Sequence, residues 1–225
     1  MNVVVFGPTG GTGRQLVIQA LAAGHHVTAF TRNPGAIEAR PRLTVMAGDL
    51  RDEGAVALAV AGGDAVLCAL GGRPWRRREQ VCSSAMPLIA RAMAKAGVRR
   101  IVAISTFGAG ETRFQVGWLV RTVFFGLVLR SEVADKEAME QQLSASSLDW
   151  TVVRVGLLTD EPVRGGTWRA ADDGSIRGMG RVARADVAAF MLAQLGDKTW
   201  LRRRPVLMGQ AQIEAPVESG PPPHA

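Results

Sequence analysis

The sequence predicts an α/β fold: a doubly wound parallel sheet of six to seven strands flanked by helices, with a small substrate-side region near the C-terminal end. Three observations predict it. Short β-branched runs alternate with stretches of helical periodicity along most of the 225 residues. The first run, Asn2–Phe6 (NVVVF), lacks polar alternation, as a strand buried on both faces requires. A glycine-rich turn follows it directly and opens into a helix.

The remaining elements follow in order. Arg14–Ala23 has apolar residues at helical spacing and stops at Gly24. Val27–Thr31 is the second strand and Leu43–Ala47 the third. Glu53–Ala61 is a helix ending in Gly62-Gly63, and Ala65–Leu70 is the fourth strand. Glu79–Ala96 is a long helix closed by Gly97. Arg100–Ser105 is strand five, Ser131–Ser146 a helix and Trp150–Val155 strand six. Arg184–Leu195 is the last helix, and Pro205–Met208 a short edge strand.

Two segments depart from this alternation. Gly117–Arg130 is very apolar but too short to cross a bilayer. It reads as a core helix or as a flap beside a substrate pocket. Thr167–Ile176 carries Asp173-Gly174, a hairpin signal that could wall one side of a site. Residues 1–209 read as a single domain and 210–225, rich in Pro and without periodicity, as a flexible tail.

Composition narrows the class. Hydrophobic residues make up 47% and charged residues 21%, which excludes wholesale disorder. No apolar run reaches the roughly 18–20 residues of a membrane span. The N-terminus reads as a strand and not as a secretion signal. Two cysteines, with Cys68 inside an apolar run, cannot staple a scaffold, so a cytoplasmic location is expected. The net charge of +7 attracts polyanions. Its densest runs, Arg76-Arg77-Arg78 and Arg202-Arg203-Arg204, come without a nucleic-acid-binding motif, so they read as a solvated face. No His/Cys/Asp cluster has metal-ligand spacing, and no metal is expected. A monomer is favoured over an oligomer.

The strongest motif is Gly7-Pro8-Thr9-Gly10-Gly11-Thr12-Gly13, with glycines spaced G-x-x-G-x-x-G between strand and helix. Gly7 permits a sharp turn. Gly10 lets backbone amides approach a pyrophosphate, and Gly13 lets the helix pack close to the sheet. The helix dipole favours an anion there, and Thr9 and Thr12 can add hydroxyl donors. About 20 residues beyond such a loop, an NAD-preferring site places a carboxylate on the ribose 2′-hydroxyl. This chain has Arg32 there, which can pair with a 2′-phosphate and stack on adenine. NADP(H) is therefore expected over NAD(H). Asp49 and Leu50 follow the third strand and could border the adenine, or Asp49 could cap the next helix. The small residues of Ala69-Leu70-Gly71-Gly72 permit close approach to the cofactor where the strand order reverses.

With these motifs in view, the chain resembles an atypical short-chain dehydrogenase/reductase of the NAD(P)H-binding, NmrA-like group. Within it, the flavin reductase/biliverdin-IXβ reductase branch is most similar. The resemblance rests on GPTGGTG (7–13), FTRNP (30–34), GDL (48–50), ALGG (69–72), IVAIST (101–106), DWTVVRVGLLTD (149–160) and RADVAAFML (184–192). It implies a Rossmann fold, NADPH and hydride transfer to a planar conjugated acceptor such as a flavin, quinone or linear tetrapyrrole. By the same resemblance, Ser105 and Thr106 lie near the nicotinamide as hydrogen-bond donors, and Val155-Gly156 meets its carboxamide through backbone groups. Arg154 is expected to be structural.

The superfamily's usual Tyr-x-x-x-Lys pair is missing, because the chain contains no tyrosine. Lys136 could hold the lysine position, with Glu132 four residues earlier. The commoner reading of that pair is an i,i+4 contact on a helix surface. Tyrosine-dependent alcohol oxidation and sugar-nucleotide epimerisation are thereby disfavoured. Hydride transfer to an extended acceptor needs only alignment by the protein. The expected function is an NADPH-dependent oxidoreductase of this kind. The alternative is a non-catalytic NADP(H)-sensing regulatory protein.

Overall fold

The computed structural model describes residues 1–71, 80–115, 130–161, 168–176 and 180–209. The expectations for Gly72, Arg76-Arg77-Arg78, Glu79, the apolar segment 117–129, Thr167 and the tail 210–225 lie outside the described residues.

The first half of the chain runs β1 (Asn2–Phe6), α1 (Gly11–Ala22), β2 (His26–Thr31), β3 (Leu43–Ala47), α2 (Glu53–Val60), β4 (Ala65–Cys68) and α3 (Val81–Ala96). The second half adds β5 (Arg100–Thr106), α4 (Arg130–Ala145), β6 (Asp149–Val155), β7 (Leu157–Thr159), β8 (Trp168–Ala171), β9 (Arg181–Ala183), α5 (Arg184–Ala193) and β10 (Val206–Gly209).

The large sheet has eight strands in the order β3-β2-β1-β4-β5-β6-β10-β8. This is one strand more than the upper expectation. All its pairings are parallel except β8 with β10. The 205–208 segment is therefore not the edge: β8 lies outside it, with Ala171 opposite Val206 and Trp168 opposite Gly209. The Asp173-Gly174 turn is present, with Gly174 at φ +77°, but β8 pairs with β10 and not with the chain after that turn. A separate two-stranded sheet pairs β7 with β9. Each of these has only three residues, too few for a periodic signal.

Alternation along the buried strands builds both faces of the core. Val4 and Phe6 of β1 pack toward α2, α3 and α4, where Val56, Ile89, Met139 and Leu143 close the layer. Val3 and Val5 face Leu16 and Ala20 of α1 and Val187 and Met191 of α5 on the other side.

Two polar contacts lock α3. Pro87 lies inside this helix and has no N–H to offer the Ser83 carbonyl, and Gln142 Nε2 of α4 donates to that carbonyl at 3.0 Å instead. The helix has no side-chain cap from Gln80. Asp135 of α4 serves in its place, accepting from Cys82 N (2.9 Å), Ser83 N (2.8 Å) and Ser83 Oγ (2.5 Å). The basic run at 202–204 is more than a solvated face. Arg204 stacks over Trp150, 5.0 Å from the ring centre, and its Nε lies 3.3 Å from Glu140. Among the described residues, no helix is long and apolar enough to cross a membrane.

Candidate dinucleotide site

The order β3-β2-β1-β4-β5-β6 reverses between β1 and β4, which opens a crevice at the C-terminal ends of those strands. Gly7 begins it. Its φ is +82°, and a Cβ there would stand 2.6 Å from the Ala69 carbonyl oxygen, so glycine is required twice over. A Cβ on Gly13 would lie 2.0 Å from the Gly7 oxygen, which fixes how closely α1 approaches the strand. Gly10 is the N-cap of α1 and offers no side-chain cap, so the first amides of the helix have no acceptor within it. Its own amide donates to Gly7 O at 3.2 Å.

The crevice has a volume of about 570 Å³. Gly7, Pro8, Thr9 and Gly10 form one wall and Ala69, Leu70, Gly71 and Val81 the other, with Phe30, Thr31, Arg32, Gly48 and Leu50 at one end. A Cβ at Gly71 would meet nothing within 4 Å. A dinucleotide suits this space: the uncapped amides can take an anion, and the walls are bare where a side chain would fill the cradle.

An adjoining pocket of about 400 Å³ shares Arg32, Leu50 and Val81 and adds Asp49, Arg51 and Gln80. Asp49 does not cap α2; Asp52 does, accepting from Ala55 N at 3.1 Å. Asp49 is instead gripped by Arg51, through Nε at 3.0 Å and Nη2 at 2.8 Å. The hydrogen bonds from Arg51 hold its carboxyl well below the usual range. Arg32 is exposed at the junction of the two spaces.

Other expected site residues lie elsewhere. Thr12 and Gly13 are buried in the packed face of α1, and Gly11 is exposed, with the Arg184 side chain passing where its Cβ would stand. None of the three lines the crevice. Ser105 is turned inward at 2% exposure, and its Oγ donates to Glu140 Oε1 at 2.6 Å. Thr106, the next residue along β5, is partly exposed and its Oγ1 donates to the Phe107 carbonyl at 3.2 Å. Val155 is buried in the core and its carbonyl accepts from Phe107 N at 2.7 Å. At Gly156 a Cβ would lie 2.2 Å from Gly180 O.

Lys136 is not on a helix surface. It is 4% exposed, and Nζ donates to the carbonyls of Leu70 (2.6 Å) and Ile104 (2.8 Å). Burial works against its charge, but Cys82, Cys68 and Glu132 outweigh that and hold its pKa above the ordinary lysine value. The ammonium thus ties α4 to the ends of β4 and β5, and through Leu70 to the crevice wall. Burial pushes the Glu132 carboxyl up.

A buried ion-pair cluster escaped residue-by-residue reading. Arg154 donates to Glu140 through Nε (3.1 Å) and Nη2 (2.7 Å), and to Glu111 through Nη1 (2.6 Å). The signal was an arginine inside the apolar strand DWTVVRV, since a buried charge demands a partner. It agrees with the structural role expected for Arg154.

This strand order with an amide-lined loop at its reversal defines a dinucleotide-binding α/β protein. The model of the NAD(P)H-binding family matches residues 7–198, and the chain belongs to that family. It is 30% identical over 211 residues to an uncharacterized chloroplastic protein of Arabidopsis thaliana, covering 86% of this chain and 72% of that one. A 3-beta-hydroxysteroid dehydrogenase of Mycolicibacterium neoaurum is 42% identical over 65 residues, and this match spans only 18% of the dehydrogenase. Among solved structures, the oxidoreductase ylbE of Lactococcus lactis superposes with a TM-score of 0.80 at 18% identity, covering 93% of this chain and 91% of its own. ChuY of Escherichia coli O157:H7, described as an anaerobillin reductase, gives 0.77 at 25% identity, with 93% and 97% covered. A short-chain dehydrogenase/reductase of Veillonella parvula in complex with NADP gives 0.77 at 18% identity, with 92% and 94% covered.

Proposed function

We propose that this chain is a cytoplasmic NADPH-dependent oxidoreductase that delivers hydride to a flavin, quinone or similar planar conjugated acceptor without a catalytic tyrosine. The observation that carries it is the amide-lined crevice with Arg32 at its end, in a chain that has no tyrosine. The anaerobillin reductase described for ChuY is a relative of matching chemistry.

In this reading the amides at the start of α1 take the pyrophosphate, with the Thr9 hydroxyl beside them. Arg32 takes the 2′-phosphate, and Leu50 and the Arg51-bound Asp49 border the adenine. Ala69, Leu70 and Gly71 form the wall along which the nicotinamide half extends, and Lys136 holds that wall by its grip on Leu70 O. Val155 and Gly156 contribute backbone groups at the junction of β6 and β7. Thr106 is the hydroxyl left to meet nicotinamide or acceptor, since Ser105 is spent on Glu140. Bound NADPH supplies the hydride from nicotinamide C4. The chain's task is to orient that carbon and exclude water. The electron pair enters a delocalised acceptor and solvent supplies the proton.

A second reading has its own support. All three candidate catalytic side chains donate internal hydrogen bonds: Ser105 to Glu140, Lys136 to the Leu70 and Ile104 carbonyls, and the partly exposed Thr106 to the Phe107 carbonyl. A protein that binds NADP(H) to report redox state needs no such groups. The test is NADPH oxidation, followed by absorbance, with FMN, a benzoquinone and a linear tetrapyrrole as acceptors. Turnover with any of them supports the reductase. Tight NADPH binding with no turnover across the panel favours the sensor.

A further inference from the structure

Helix α1 packs along α5, and Gln19 Nε2 of α1 donates to the Ala185 carbonyl at the start of α5 (2.9 Å). Arg184 is the first residue of α5, and its side chain runs across Gly11. A Cβ on Gly11 would lie 2.5 Å from Arg184 Cδ and 2.6 Å from Nε, with Cζ at 3.5 Å. Only a residue without a side chain leaves this path open. The arginine stem thereby passes against Gly11, the residue that follows the N-cap of α1. Arg184 Nη1 donates to Asp160 Oδ1 at 2.6 Å. The Asp160 side chain is 86% exposed, and the pair uses one nitrogen of a fork that carries five N–H donors.

We infer that Arg184 is a diphosphate ligand of NAD(P)H, reaching over Gly11 from α5 and aimed by Asp160. The inference rests on the dinucleotide reading of the crevice and extends it. The amides of α1 are neutral donors with a partial charge at the helix end. Arg184, paired with Asp160 through one nitrogen, adds a guanidinium charge and further planar donors from a distant part of the chain. The two arginines then divide the work. Arg32 sits at the far end and distinguishes the coenzymes, whereas the diphosphate is common to both. Arg184 therefore sets affinity without selecting between NADPH and NADH.

Calorimetric titration of the full chain with NADPH, NADH and adenosine 2′-monophosphate tests this. R184Q should weaken both coenzymes by the same factor, about tenfold or more, because a charge-assisted contact is lost from each. Adenosine 2′-monophosphate has no diphosphate, so its affinity should not change. G11A keeps the charge but puts a methyl group where the arginine stem passes, and it should weaken both coenzymes in parallel. Alanine is favoured over glycine within a helix, so G11A retains the fold. Circular dichroism confirms the fold of both variants. R184Q with wild-type affinity for both coenzymes overturns the inference, as does a loss confined to NADPH. Wild-type protein that binds neither coenzyme overturns the dinucleotide reading itself.

Discussion

Replacing Arg32 with glutamate puts the coenzyme preference to a quantitative test. Arg32 is exposed at the junction of the crevice and the adjoining pocket. The nearest carboxylate at that end, Asp49, is held by two hydrogen bonds from the Arg51 side chain. The Asp49 charge is therefore mainly engaged by Arg51, with a weaker attraction to Arg32. Losing a charge-assisted contact to phosphate costs about 1.5–3 kcal/mol. The new carboxylate adds repulsion of about 1 kcal/mol, because the position is exposed to water and screened. A combined loss of about 2.5–4 kcal/mol weakens NADPH roughly 60- to 700-fold. NADH has no 2′-phosphate and should lose only what stacking on adenine contributes. Isothermal titration of both coenzymes at one fixed ionic strength reads the difference directly. Equal losses for NADPH and NADH would refute the 2′-phosphate role of Arg32.

Three further perturbations separate fold from site. Gly10 has φ −72°, and a Cβ there meets nothing closer than Gly7 O at 3.5 Å, so Gly10→Val should keep the fold. Its branched side chain fills the cradle and should abolish coenzyme binding; a variant that binds NADPH normally removes the pyrophosphate from this loop. Glu140→Ala removes the buried partner of Arg154 and leaves it only the exposed Glu111, and should cost about 3–5 kcal/mol in urea denaturation. Glu111→Ala removes a carboxylate with 69% side-chain exposure and should cost about 1 kcal/mol or less, so similar losses would contradict the geometry. Thr106→Val should lower kcat with FMN or a quinone while leaving NADPH affinity nearly unchanged. Unaltered kcat and KM would remove that hydroxyl from the chemistry.

The sheet was legible because its strands are short, apolar and punctuated by glycine. Asn2–Phe6 and Leu43–Ala47 have the bounds that their runs suggest. The crevice was legible for the same reason, since glycine positions encode backbone geometry directly: Gly7 carries both the positive φ and the close approach to Ala69. Side-chain direction was less readable. Ser105 and Thr106 are neighbours on a strand and must point to opposite faces, yet nothing local says which face belongs to the site. Glu140, on a distant helix, decides it by accepting a hydrogen bond from the Ser105 hydroxyl. The placement of Lys136 was hidden likewise, because its acceptors are two backbone carbonyls, which no residue type announces. The edge strand β8 pairs with β10 across more than thirty residues of chain, beyond the range of any local pattern.

These side-chain placements bear on what acceptor the protein can serve. Reducing a ketone leaves an alkoxide, which must take a proton from a group poised at the oxygen. Among the groups considered for that task, tyrosine is absent, Ser105 is turned into the core, and the Lys136 ammonium spends hydrogen bonds on two carbonyls. Freeing Lys136 would loosen the Leu70 wall of the crevice, so it cannot double as a mobile proton donor without disturbing the coenzyme's bed. An acceptor whose reduced form spreads the added charge over a conjugated ring system does not need such a donor. Electron-poor quinones should therefore turn over faster than isolated ketones of similar size. A preference for the ketones would require a proton donor that neither Ser105 nor Lys136 provides.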